Sequence, residues 1–274
     1  VALSVYNIKY KLGDFMNYLE TSGLDFTVEG TKLVYKKEDF QAAIDWVKDY
    51  NFAKYAYKNP SESGPTYFGV RYMERTQDKE LLEKYDIMGD ITVFEAGKVD
   101  DEFVKTVGHY HGHTAGKDLS FPEVYQNISG QVEYLLQTEP DKDGFVDVLY
   151  VVTEPGDKVV MPPNVGHISL NAGDEIAVEC DLQKRDNPDD SEYALYKECV
   201  GGALYRTVNG LEENPHYKIK SLRIVRSLEK PEWGLTKDKP LYTSFVENPE
   251  KFEWLTKPQN YNFDLDELFE DIEL

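Results

Sequence analysis

The chain has 274 residues and carries 51 Asp and Glu against 30 Lys and Arg, a formal charge of −21. With 41% apolar and 13% aromatic residues, including 20 Tyr, it holds far more buriable surface than a disordered acidic polypeptide. A surface this negative repels nucleic-acid phosphates and anionic lipid, so neither nucleic acid nor membrane is an expected partner. No apolar run approaches the roughly 18 residues of a membrane span. Two cysteines, Cys180 and Cys199, in so long a chain point to reduced thiols and a cytoplasmic location.

Residues 1–60 read as a partly helical N-terminal extension. Phe15, Tyr18 and Leu19 suggest a short helix, and Phe40, Ala43, Ile44 and Val47 recur at helical spacing among charged residues. Asn59 to Pro65 is rich in turn formers and reads as a linker. From Tyr67 to Ser227 the pattern becomes strand and turn. Short segments rich in Val, Ile, Tyr and Thr include Asp90 to Glu95, Lys105 to His111, Glu123 to Ile128, Gln131 to Gln137, Val146 to Thr153, His167 to Leu170, Glu175 to Cys180 and Tyr193 to Tyr196. Turn signals such as Ser129-Gly130, Asp143-Gly144 and Asn209-Gly210 separate them. Many short strands with little helix between them predict an all-β core, a sandwich or barrel. It would occupy 61–228, followed by a C-terminal extension over 229–274. Leu265, Leu268, Phe269 and Ile272 predict an acidic terminal helix over Asp264 to Leu274.

Three of the five histidines, His109, His111 and His113, fall within five residues. On a strand, alternate side chains share a face, so all three can point the same way, as can Glu123 and Tyr125 on the next strand. His167 follows the turn Met161-Pro-Pro-Asn-Val-Gly166. If these strands line a small barrel, His109, His111, Glu123 and His167 converge. Three imidazoles and one carboxylate suit Fe2+, Mn2+, Ni2+, Co2+ or Zn2+.

Glu123, six residues and then Gly130 match the end of the first cupin motif. Gly156, Pro162, His167 and Asn171 match the second, with Asn164 where glycine is usual and a longer loop between His111 and Glu123. The chain therefore resembles the cupins, which are jelly-roll β-barrels. A narrower resemblance lies in Tyr85-Asp86, Asp90-Ile-Thr92, Lys105-Thr-Val-Gly-His-Tyr-His111, Pro122-Glu-Val-Tyr125 and Ser129-Gly130. Together these look like the cupin-type glucose-6-phosphate isomerases, over about residues 67–225.

That resemblance implies one divalent metal per chain, Fe2+ first, on His109, His111, Glu123 and His167. It implies interconversion of glucose 6-phosphate and fructose 6-phosphate in glycolysis and gluconeogenesis, by a homodimer. Glu123 and Tyr125 become the catalytic candidates, and Thr92, Thr106, Gly108, Tyr72 and Tyr205 the substrate-binding ones. Thr106 has the wrong parity to share a face with His109 on a regular strand, and a bulge or turn at Gly108 would restore it. Ala203 stands where the family often carries histidine. His113 is expected in the inserted loop and His216 on the surface. Two other readings stay open at this level: a cupin dioxygenase using the same donor set, and a sugar-phosphate-binding cupin without turnover.

Overall fold

The structure, a computed structural model, describes residues 17–30, 32–40, 43–48, 50–114, 118–185 and 193–273. Eleven strands form its two principal sheets. They are β1 (Ile44–Lys48), β2 (Tyr67–Arg71), β3 (Ile87–Phe94), β4 (Glu123–Ser129), β5 (Val132–Thr138), β6 (Phe145–Val152), β7 (Lys158–Met161), β8 (Val165–Asn171), β9 (Ala177–Lys184), β10 (Lys218–Ser227) and β11 (Phe269–Asp271). One sheet has the order β7-β4-β9-β3-β2-β1 and is antiparallel throughout. The other has the order β8-β5-β6-β10-β11, with β6 and β10 parallel. Packed face to face, they make a β-sandwich whose interior holds the site.

All eight residues of β3 are buried, as are the first six of β4 and of β9. A strand buried on both faces needs a second layer outside the barrel. The C-terminal segment supplies it: the helix Leu241–Glu247 packs on β9, the Leu241 N–H donates to Gln126 Oε1 at 2.7 Å, and the helix's own Tyr242 and Phe245 are buried, as are Phe252 and Trp254 after it.

Four sequence expectations are overturned. In place of the helix expected over Phe40 to Val47, residues Ile44–Lys48 form β1, whose Trp46 lies opposite Gly69 in the antiparallel register with β2. A Cβ on Gly69 would sit 1.9 Å from the Ile91 carbonyl oxygen and 2.8 Å from Trp46 Cζ2, so glycine is what lets the indole cross the sheet. Pairing of an otherwise open sheet edge here outweighs the helical spacing of apolar residues. The terminal helix shrinks to one turn, Leu265–Leu268, capped by Asp264 Oδ1 accepting from the Asp266 N–H at 3.0 Å; Phe269–Asp271 then joins the second sheet against Val225–Ser227. The strand expected at Tyr193 to Tyr196 is a short helix, Ala194–Glu198. Leu19–Ser22 is helical for one turn, whereas Phe15 lies outside the described residues.

The fourth departure shapes the site. Lys105 to His111 is not a regular strand; its β-bridges to β8 are Lys105 to Leu170 and His109 to His167. Between them Gly108 has φ +86°, which reverses the side-chain parity. The Thr106 N–H donates to the Ser169 carbonyl at 2.8 Å, and His109 and His167 exchange backbone hydrogen bonds of 3.2 and 3.0 Å. Thr106 and His109 consequently face the same cavity although three residues apart.

A Cβ at Gly108 would lie 2.5 Å from Ile168 Cγ1 and 2.7 Å from Tyr196 Cδ1, in addition to the strained φ. Gly108→Ala is therefore expected to destabilise the fold by about 1–3 kcal/mol. Thermal unfolding should register this as a loss of about 2–4 °C per kcal/mol; an unchanged melting temperature would show that the turn tolerates a side chain.

Candidate active site

Inside the sandwich the four expected ligands come together. One donor atom from each of His109, His111, Glu123 and His167 lies within 4.8 Å of all the others. Nε2 of His109 and Nε2 of His111 are 3.2 Å apart, and Glu123 Oε2 lies 3.1 Å from His111 Nε2 and 3.3 Å from His167 Nε2. The carboxylate belongs to the start of β4, His167 to β8, and the other two imidazoles to the segment turned by Gly108.

Neighbouring groups orient this set. His111 Nδ1 lies 2.9 Å from the Phe121 carbonyl; donation there leaves Nε2 as the free lone pair facing the cluster. Gln183 Nε2 donates to Glu123 Oε1 at 3.1 Å, which leaves Oε2 directed at the imidazoles. Burial, with the neighbouring His167 and His111, pushes His109 well below the usual imidazole range, and burial also lowers His167. Burial opposes charge on Glu123, yet its contacts with His111 and His167 outweigh that and hold the carboxyl well below the usual carboxylate range. The same pair resolves oppositely at His111, where burial is outweighed by Glu123 and the imidazole is raised. An ionised carboxylate with two neutral imidazoles is close to the protonation state a divalent ion requires. The buried Glu123 Oε2 has no conventional hydrogen-bond partner, and three nitrogens with one oxygen suit a borderline transition metal. The residues fit the implied ion.

Beside the cluster lies a cavity of about 270 Å³. Tyr125 lines it, with its hydroxyl 3.4 Å from His167 Nε2; burial, reinforced by Glu123, keeps that phenol neutral. Thr92 and Thr106 line it too, and Thr106 Oγ1 accepts from the Ser169 N–H at 3.1 Å, so its own proton is free to donate. Arg71 is the one cation in the lining among the described residues, and its Nε is 3.1 Å from Asp90 Oδ2. Burial pushes Asp90 up to about 6 despite that guanidinium.

Other expected site residues lie elsewhere. Gly108 turns the chain but does not line the cavity. Tyr72, at φ +54°, donates its N–H to Asp90 Oδ1 at 3.0 Å while its ring lies against the Arg185 guanidinium. The Tyr205 hydroxyl donates to the Val200 carbonyl at 3.1 Å, and Lys105 lies over its ring. Lys105 itself is buried in an ion pair with Glu102. Ala203 is fully buried, with its N–H donating to Gln137 Oε1 at 2.7 Å. His113 is exposed and bridged to Ser120, away from the cluster, and His216 is exposed.

The lining also includes residues that the sequence reading did not single out: Trp46, Tyr67, Tyr193, Glu179, Asp181 and Gln183. A signal existed for the last three, because Glu179, Asp181 and Gln183 alternate with Val178, Cys180 and Leu182 over a strand that was expected to stop at Cys180. Trp46 was hidden by the helical reading of its segment.

The family model for glucose-6-phosphate isomerase matches residues 46–222. The glucose-6-phosphate isomerase of Thermococcus litoralis is 31% identical over 161 residues, covering 58% of this chain and 76% of that protein. That of Pyrococcus furiosus is 35% identical over 114 residues, covering 35% of this chain and 55% of that protein. Among solved structures, an oxalate oxidase in complex with glycolate overlaps with a TM-score of 0.33 at 15% identity, covering 47% of this chain and 54% of that one. An oxalate decarboxylase from Bacillus subtilis gives 0.30 at 19%, covering 46% of this chain and 27% of that one. These two overlaps are too partial to bear on chemistry. The match over residues 46–222, which takes in every member of the histidine–glutamate cluster and the cavity beside it, places the chain in the glucose-6-phosphate isomerase family.

Proposed function

We propose that the chain is a metal-dependent aldose–ketose isomerase that interconverts glucose 6-phosphate and fructose 6-phosphate. The convergence of three imidazoles and one carboxylate beside the Tyr125 hydroxyl, in a member of this family, is the observation that supports it most strongly. His109, His111, Glu123 and His167 would hold the ion, with Fe2+ the expected metal and Mn2+, Ni2+, Co2+ or Zn2+ compatible with the donors. When bound, a divalent ion supplies Lewis-acid polarisation of the oxygens on C1 and C2.

In the open-chain aldose the hydrogen on C2 passes to C1 and the O2 proton passes to O1, giving the ketose. Glu123, held ionised at the cluster, is the residue placed to handle the carbon-bound hydrogen. Tyr125, a neutral phenol, can donate to a sugar oxygen and take the proton back. The Thr92 and Thr106 hydroxyls and Arg71 offer donors for the phosphate. Two of the cavity's acids do not oppose an anionic substrate at neutral pH: burial raises Glu179 to about 8, and burial with Glu123 and Asp90 holds Asp181 well above its usual range. A cytoplasmic homodimer serving glycolysis and gluconeogenesis completes the proposal.

The direct test is a coupled assay of fructose 6-phosphate conversion by protein loaded with Fe2+. Activity should vanish on chelation and return on adding the ion back; equal rates with and without metal would refute metal dependence, and no turnover with any of the five ions would refute the isomerase. Glu123→Gln should lower kcat by at least about 10²-fold, as expected for a residue handling a proton, and a near-normal rate would remove Glu123 from that role. For Thr106→Val, loss of one hydrogen bond to a charged group predicts about a tenfold or greater rise in KM for fructose 6-phosphate with metal content retained. Equal loss of metal would place Thr106 among the groups that support the cluster instead.

A further inference from the structure

One wall of the cavity is acidic, and the chemistry set out above assigns it no contact. Glu179, Asp181 and Gln183 all face the cavity from β9. Two of them are tied to the cluster: Gln183 Nε2 donates to Glu123 Oε1 at 3.1 Å and to Asp181 Oδ1 at 3.3 Å. Glu179 is not. It is 1% exposed, it lines the cavity, and its Oε2 has no hydrogen-bond partner among the described residues. Tyr134 and Ser169 lie against the same carboxyl from the other sheet. An unmade hydrogen bond on a buried polar atom costs about 1–3 kcal/mol. Oε2 is itself shut off from the cavity that Glu179 lines, but the terminal torsion of a glutamate is soft, and its rotation brings that oxygen to the cavity, where a ligand atom can complete it.

Its place along the sheet says which part of a ligand. Gln183 stands opposite Glu123 across the β9–β4 pairing, and Glu179 stands opposite Thr92 across the β9–β3 pairing. Four residues of strand separate the two positions, roughly 13 Å. A six-carbon sugar phosphate carries its reacting carbons and its phosphate at opposite ends, so a ligand with C1 and C2 at Glu123 extends its phosphate towards Thr92 and Glu179. An ionised carboxylate would repel that group. Burial raises Glu179 to about 8, so at neutral pH it is an acid with an O–H to give, and a phosphate dianion can only accept.

We propose that Glu179 is a substrate-contacting, specificity-determining residue whose carboxyl donates a hydrogen bond through Oε2 to a phosphate oxygen of the sugar phosphate. The orientation of the ligand rests on the isomerase reading, but the contact is read by affinity and not by turnover.

The test is calorimetric titration of Fe2+-loaded wild type, Glu179→Leu and Glu179→Gln with fructose 6-phosphate and with inorganic phosphate, beside their melting temperatures and isomerase rates. Glu179→Leu should bind both ligands about tenfold or more weakly, the loss expected for one hydrogen bond to a charged group. Glu179→Gln, whose amide keeps an N–H donor in the same shape, should stay within about threefold. Affinity of Glu179→Leu equal to or above wild type, or failure of Glu179→Gln to rescue, overturns the proposal, whatever the melting temperatures show. Wild type that binds fructose 6-phosphate without converting it removes the isomerase reading, while the variants' affinities still decide the Glu179 contact. Wild type that binds neither ligand overturns both.

Discussion

Glu123 is 1% exposed and ionised, and a carboxylate so far from water is tolerated only where fixed polar groups compensate it. His111 and His167 face one oxygen, Gln183 holds the other, and the Phe121 carbonyl sets the tautomer of His111. Each of those groups comes from a different part of the chain, so the strands that carry them must keep their register for the carboxylate to stay compensated. A one-residue slip of β4 would exchange Glu123 for an apolar neighbour and leave the imidazoles without their carboxylate.

Rigidity of that register depends on burial from both sides. The inner faces of β3, β4 and β9 carry the polar site, which contributes little hydrophobic stabilisation. Their outer faces carry Val124, Cys180 and Leu182 and are covered by the C-terminal segment, with Trp233 stacked on Trp254 at 4.9 Å between ring centroids. Placing the apolar packing behind the sheet lets the interior be unusually polar without loosening it.

The charge of −21 and the acidic lining pose related problems for an anionic substrate. Outside, much of the surplus lies on the surface, where ion pairs such as Arg223 with Asp271 and Lys230 with Glu267 partly offset it. Inside, burial itself answers part of the difficulty, because a carboxyl without a cation in a low-dielectric wall keeps its proton. Acidic composition and an anion-binding cavity are therefore compatible.

The metal-type donor set and the strand-rich core are legible in local sequence. Alternation of His109 with His111 and of Glu123 with Tyr125 is a local property, and the two motif halves carry their own turns at Gly130 and Gly156. Parity left Thr106 unresolved but singled out Gly108, and the structure realises that turn at φ +86°. The rest was set by partners distant along the chain. Residues 44–48 became a strand because Gly69 leaves room for Trp46, and 269–271 became a strand because β10 offered an open edge; neither partner is visible in a local window. Tyr72 and Tyr205, read as substrate contacts, are engaged with Arg185 and Lys105 outside the cavity lining. Glu179 entered the site for the same reason: alternation puts a residue on one face of a strand, but which face meets a cavity is fixed only when the second sheet closes over it.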